Sequence, residues 1–177
     1  DYRIDRDQLS GVTRFGQRIH FPLAEIVCIY VRSRTVEFLS ERKAAGVQYV
    51  PYVGPSRPYQ IDRTVDGRPF TLSGRSYERG LGMQSRTLLA YKLKADDRRF
   101  QAMVGLDDRA GPLGSVAFRV LVDGKERLST PPMSARDPAQ SVDIDLEGAK
   151  TLILITEYGE RGDVRDLADW VDARIIH

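Results

Sequence analysis

The chain is poor in the residues that most catalytic and cross-linking chemistry needs: its 177 residues include one cysteine, one tryptophan and two histidines. A single cysteine, Cys28, excludes an intrachain disulfide, and its apolar surroundings indicate a buried thiol rather than a nucleophile. With only His20 and His177, a Ser-His-Asp arrangement is nearly excluded and a multi-histidine metal site is excluded outright. We therefore expect a protein that is not an enzyme.

The chain also lacks a charge of one sign and a long apolar run. Its 27 basic and 25 acidic residues leave a net charge of +2, too small a field for the usual binding of nucleic acid or anionic membranes. The sequence contains no run of about 18 apolar residues, the length that a membrane-spanning helix needs, so we expect no membrane insertion. Five of the basic residues are lysines, which leaves 22 arginines. Composition bias accounts for most of these, with forked contacts to oxygen-rich ligands as the alternative.

What is present is a series of short strand-like runs, each bounded by Gly, Pro or Asp. In Val116–Val122 the even positions form one apolar face, and Asp123-Gly124 supplies the two residues of a tight hairpin turn. This pattern predicts an all-β sandwich. Helical signal is thin, at residues 39–45 and 163–168. The other strand-like runs are residues 87–93, 98–104, 142–146 and 151–156.

The first 33 residues read differently from the rest. A hairpin turning at Gly16 is followed by an apolar run, residues 22–30, that predicts a strand. We expect residues 1–33 to form a short N-terminal β extension or the end of a preceding small β unit, and residues 34–177 to form the sandwich. The chain starts at Asp1 without a signal-like segment, so it is expected to be a piece of a longer protein.

Four separated motifs occur in a characteristic order. Residues 76–85 read SYERGLGMQS, residues 99–108 read RFQAMVGLDD, residues 114–124 read GSVAFRVLVDG, and residues 166–170 read DLADW. Together they resemble the NPCBM family of carbohydrate-binding modules, which is related to the family 51 modules. Several motifs that agree in order are a stronger signal than any one of them. The resemblance runs from near Val36 to Ile176.

The resemblance implies a galactose-binding-like, jelly-roll β-sandwich that acts as a non-catalytic carbohydrate-binding module. It further implies a larger secreted, periplasmic or cell-surface parent protein, with a galactose-type glycan and the parent's other domains as partners. Relatives usually carry histidines where this chain has Gln84 and Leu167. The alternative function is therefore a structural or protein-interaction module that has lost glycan binding. Paired carboxylates for glycoside hydrolysis need a cleft that so small a sandwich seldom provides.

Candidate sugar contacts lie mainly in the loop before the last strand. Tyr158 offers a ring for stacking on a pyranose, and its neighbours Glu157 and Arg161 offer hydrogen bonds to hydroxyls. Tyr59 is a second stacking candidate. Gln84, which follows the glycine motif, and Trp170 complete the predicted set, although a lone tryptophan at the start of a strand is more often part of the core.

Candidate metal ligands are the aspartates at the ends of two strands. Asp107 and Asp108 follow a strand that ends near Gly105, and Asp166 and Asp169 belong to the DLADW run. Calcium prefers such hard oxygen ligands but needs six to eight of them, so a solvated turn at Asp107 and a structural role for Asp169 remain alternatives. The alternating acids Asp143 and Asp145 predict an exposed strand rather than a calcium loop.

Overall fold

The structure is a computed structural model, described for residues 2–13, 15–26, 35–50, 52 and 57–177. It divides into two compact units, Asp1–Ser33 and Arg34–His177. No helix in the described residues is long and apolar enough to cross a bilayer. Nearly every regular element is a strand, and all the paired strands are antiparallel.

The first unit is a three-stranded sheet of β1 (Tyr2–Asp5), β2 (Gln8–Val12) and β3 (Arg18–Pro22). Gly16 has φ of 81°, so the predicted hairpin turn is confirmed. The strand predicted over residues 22–30 is wrong at its start, because Leu23–Glu25 form a 3-10 turn. Cys28 and the remainder of that prediction lie outside the described residues.

The second unit contains thirteen strands among its described residues. They are β4 (Val36–Phe38), β5 (Gly46–Tyr49), β6 (Gln60–Ile61), β7 (Phe70–Leu72), β8 (Arg75–Tyr77), β9 (Gly80–Met83), β10 (Thr87–Lys92), β11 (Arg99–Leu106), β12 (Val116–Val122), β13 (Lys125–Ser129), β14 (Gln140–Asp145), β15 (Thr151–Tyr158) and β16 (Ala168–Ile176). One sheet has the order β13-β12-β15-β10-β5 and the other β14-β11-β16-β9-β6, with β4 on β16 and a separate β7-β8 hairpin. This is the predicted sandwich.

The sandwich core is built by alternation along the strands. On β12 the predicted face is fully buried at Val116, Phe118 and Val120, whereas Arg119 is partly exposed. Asp123 and Gly124 have φ of 49° and 75°, which is the positive-φ pair that a tight hairpin requires. Residues 39–45 form turns instead of the suggested helical turn, since so short a segment cannot nucleate a helix without packing support.

Trp170 lies between the two sheets and is fully buried. Its ring packs edge-on to Phe118 with centroids 5.3 Å apart, and it also contacts Phe100. Its indole Nε1–H donates to Thr156 Oγ1 at 3.1 Å. No face of the ring reaches solvent, so the prediction of Trp170 as a sugar-stacking side chain is wrong, and the residue is a core anchor.

Candidate functional site

The main cleft of the sandwich lies where loops from several strands meet and has a volume of about 390 Å³. It is bounded by the segments before β7, after β9, after β11 and before β16. Its lining is polar and rich in guanidinium and carboxylate groups, and none of the described lining residues is aromatic. They are Arg57, Val65, Asp66, Arg68, Gln84, Arg109, Asp163, Arg165, Asp166 and Leu167.

Close packing of the glycine motif positions the wall of this cleft. A Cβ on Gly82 would lie 2.3 Å from the carbonyl oxygen of Arg63, and one on Gly80 would lie 2.6 Å from that of Trp170. The backbone around both glycines therefore leaves no room for a side chain. This close packing brings the chain just before Val65 and Asp66 directly against β9, and Gln84 follows β9 into the cleft.

Gln84 is the one predicted sugar-contact residue that lines the cleft. Its Nε2 donates to the carbonyl oxygen of Asp163 at 3.3 Å, and its Oε1 has no hydrogen-bond partner among the described residues. The side chain therefore joins the β9 wall to the loop before β16. The Oε1 atom is buried as well as unpaired, and an unsatisfied amide acceptor is suited to a donor such as a hydroxyl.

Asp166 also lines the cleft, where it serves as a structural acceptor. One carboxylate oxygen accepts from the Ser85 hydroxyl, and the other accepts from the Ser115 backbone N–H at 2.9 Å. Burial raises the pKa of Asp166 to about 6, although these hydrogen bonds act in the opposite direction. The Asp166 carboxylate thus connects the loop before β16 to the end of β9 and to the start of β12.

Asp107 and Asp108 are likewise engaged by protein donors. Asp107 accepts from Arg109 Nε at 2.6 Å and Nη2 at 2.8 Å, and from the Thr71 backbone N–H at 2.9 Å. Burial alone would raise the pKa of Asp107, but these bonds outweigh it and hold the pKa below its usual range. Asp108 accepts from the backbone N–H groups of Ser73 and Gly74.

Asp169 differs from the other three, because it is fully buried and neither carboxylate oxygen has a partner among the described residues. Burial raises its pKa well above the usual value, and the nearby charge of Asp107 adds to the effect. The four predicted metal ligands do not form a shared site. Across the residues described, the one group of three or more acidic, histidine or cysteine side chains close enough to share an ion is Asp96, Asp97 and His177.

The remaining predicted sugar contacts lie outside the cleft lining. Glu157 pairs with Arg86 at 3.1 Å on the face of the sheet, and Arg161 donates to the Pro112 carbonyl at 2.7 Å. Tyr158 is half-buried, and its hydroxyl donates to the Val50 carbonyl oxygen. Tyr59, also half-buried, packs against the core.

Sequence reasoning missed Tyr52, whose side chain is 67% exposed. Its ring packs edge-on to Tyr158 with centroids 5.5 Å apart, and its backbone N–H donates to the Asp163 carboxylate at 3.3 Å. Asp163 lines the cleft, so the Tyr52 backbone lies next to a lining residue, although Tyr52 itself is not part of the lining. The sequence also gave no signal that Arg57, Arg68 and Arg109, far apart along the chain, would meet there.

The fold and this loop-end cleft define the class of galactose-binding-like sandwiches. Residues 42–176 match the NPCBM/NEW2 domain family, and the chain belongs to that family. It is a family of carbohydrate-binding modules.

Related proteins carry this domain as a small part of a longer chain. A Renibacterium salmoninarum protein, provisionally named an endo-alpha-N-acetylgalactosaminidase, is 30% identical over 111 residues, which is 63% of this chain and 7% of that protein. Alpha-1,3-galactosidase B of Akkermansia muciniphila is 27% identical over 118 residues, or 64% of this chain and 15% of that protein. The chain thus spans a small fraction of these relatives.

Solved structures share the fold. The CBM51 module of Clostridium perfringens GH95, in complex with methyl-galactose, superposes with a TM-score of 0.73 at 24% identity, covering 80% of this chain and 99% of that one. The Clostridium perfringens ZmpB structure with its M60 catalytic domain, CBM51-1 and CBM51-2 has a TM-score of 0.72 at 27% identity, covering 96% of this chain and 17% of that one.

Proposed function

We propose that this chain is a non-catalytic carbohydrate-binding module of a larger extracytoplasmic protein and that it holds a glycan in the loop-end cleft. The observation that carries the proposal is a concave polar cleft lined by the planar groups of Gln84 and Asp163, next to a residue with an exposed ring, Tyr52, whose backbone N–H contacts Asp163. Stacking on a ring and in-plane hydrogen bonds are the two contacts that a pyranose needs.

The comparisons support this function in outline. The family is one of carbohydrate-binding modules, and the relatives are named as glycosidases that carry such a domain within much longer chains. We infer a similar setting for this chain, with residues 34–177 as the module and residues 1–33 as an extension or the end of a preceding unit. The parent's catalytic work would then lie in other domains.

The rival function, a protein-interaction module that has lost glycan binding, predicts a flat apolar surface at the site. The cleft is concave and polar instead, which favours the glycan-binding function. The buried Oε1 of Gln84 has no donor among the described residues, which further supports a ligand with hydroxyl donors.

A glycan array probed with this domain in calcium-containing buffer tests the proposal. The wild-type domain is expected to give a reproducible signal, and Tyr52→Ala and Gln84→Ala are expected to lose most of it. Gln140→Ala, at an exposed strand start outside the cleft lining, is the matched control and should keep the signal. If the folded wild-type domain binds no glycan on the array, the protein-interaction function is favoured instead.

A calcium ion remains a second proposal, centred on the unpaired carboxylate of Asp169. The other predicted ligands have their oxygens occupied by protein donors, so any ion there would depend on backbone carbonyls and water for most of its coordination. Titration of the melting temperature with calcium, described below, tests it.

A further inference from the structure

The cleft proposed as the glycan site has an unusual concentration of cationic side chains. Four arginines, Arg57, Arg68, Arg109 and Arg165, line it together with three aspartates. Guanidinium groups stay charged at all physiological pH values and present a planar fork that matches the geometry of a carboxylate.

Two of these arginines are already paired within the protein. Arg109 is held by Asp107 through two side-chain hydrogen bonds. Arg68 Nε lies 3.5 Å from Asp66 Oδ2. Each therefore has a carboxylate partner inside the protein.

The other two arginines are open. Arg57 and Arg165 are exposed and make no ion pair or side-chain hydrogen bond with any residue in the described part of the chain. They come from different segments, one before β6 and one before β16, and yet border the same 390 Å³ volume. Two unpaired guanidinium groups on one cleft can both approach a single anionic ligand.

Among the described residues, none of the three cleft aspartates forms an ion pair with Arg57 or Arg165. Both oxygens of Asp166 are used by Ser85 and Ser115, and burial raises its pKa, so its negative charge is already disfavoured. Asp163 accepts from the Tyr52 backbone N–H. Asp66 is shared between the Thr64 hydroxyl and Arg68.

We propose that the cleft selects an anionic sugar, one whose ring carries a carboxylate, and that Arg57 and Arg165 are the residues that confer this preference. The proposal rests on the proposed glycan-binding function and names its ligand class. A carboxylated sugar and a sulfated sugar both carry a negative group on a pyranose, so the experiment must distinguish between them.

Titration calorimetry with matched sugar pairs tests the proposal. The pairs are galactose with galacturonic acid, lactose with sialyllactose, and lactose with its sulfated form, each titrated into the 177-residue chain. Two charge-assisted hydrogen bonds predict at least about tenfold tighter binding of the carboxylated member of a pair. The preference should shrink between about 0.05 M and about 0.5 M salt, because the arginines are exposed to screening.

The double variant Arg57→Gln/Arg165→Gln should bring the two members of each carboxylated pair to within about twofold of each other. Arg127→Gln/Arg136→Gln, two exposed arginines outside the cleft lining, removes the same charge and should keep the preference. Equal binding of neutral and carboxylated sugars by the wild type, or a preference that survives Arg57→Gln/Arg165→Gln, overturns the proposal while glycan binding stands. Preference for the sulfated sugar alone also overturns it. Binding of neither member of any pair overturns the proposed function itself.

Discussion

The buried hydrogen bond between Trp170 and Thr156 is the most informative single contact to break. Thr156→Val keeps the branched shape of the side chain but removes the oxygen that accepts the indole Nε1–H at 3.1 Å. Both residues are fully buried, so water cannot replace the acceptor. Leaving a buried donor unsatisfied costs about 1–3 kcal/mol.

For a chain of this size, each kcal/mol lowers the melting temperature by about 2–4 °C, so a cost near 2 kcal/mol predicts a fall of about 4–8 °C. Urea unfolding followed by circular dichroism measures the change in every variant, because Trp170→Phe removes the only tryptophan fluorophore. Trp170→Phe, which removes the donor, serves as the second arm of a double-mutant cycle.

In the Trp170→Phe background, Thr156→Val should cost much less, because no indole donor is left to be orphaned. A cost below about 0.5 kcal/mol in the wild type, or the same cost in both backgrounds, would refute the assignment of this bond as a core anchor.

Three further predictions concern residues of strands β4, β9 and β16. Arg42 donates a hydrogen bond to Glu37 and lowers the pKa of Glu37 from 4.5 to about 2. Glu37→Gln should therefore lower the free energy of unfolding by about 1–2 kcal/mol above pH 4.5. Urea unfolding at a series of pH values should show this loss shrinking as the pH falls toward 2. If calcium binds at Asp169 in the folded state alone, the melting temperature should rise with calcium concentration, and a chelator should reverse the rise. The same melting temperature in calcium-containing and chelator-containing buffer would argue against the ion. Gly82→Ala should cost about 1–3 kcal/mol by overpacking, whereas Gly46→Ala, whose Cβ meets its nearest neighbour at 3.6 Å, should be tolerated in the same melting assay.

Local pattern predicted strands β10, β11, β12, β14 and β15 and two of the hairpin turns, whereas it was wrong at the start of the run over residues 22–30. Alternation places Val116, Phe118 and Val120 on one face because neighbouring strand residues point to opposite sides of a sheet. Asp123-Gly124 and Gly16 marked hairpin turns because few other residues adopt positive φ at low cost. These are short-range effects that a single sequence carries.

The site could be predicted only in part, because it is assembled from distant segments. Gln84 and Asp166 lie next to recognisable motifs, and both line the cleft. Arg57, Arg68 and Tyr52 lie in a segment without such a motif, and their meeting with residues 163–167 depends on how β9 and β16 pair. Nothing local distinguishes these arginines from the other exposed arginines of the chain.

Trp170 illustrates the opposite error. Trp170 follows aspartates in the sequence, which is a typical setting for a sugar-stacking ring. Because it lies on the central strand β16, its ring points inward and packs against Phe118. The exposed ring near this loop belongs instead to Tyr52, which lies 111 residues from its hydrogen-bond partner Asp163. Burial of an individual side chain is a tertiary property, and the motif alone could not establish it.

The central claim is that a glycan occupies the loop-end cleft. An amide-resolved NMR titration of the ¹⁵N-labelled domain with the sugar that gives the strongest array signal, galacturonic acid if several are equal, tests it most directly. The account predicts that the largest saturable shifts fall on Tyr52, Gln84 and residues 163–167, with Gln140 unmoved. Saturable shifts elsewhere on the sandwich, with these amides unchanged, would contradict it.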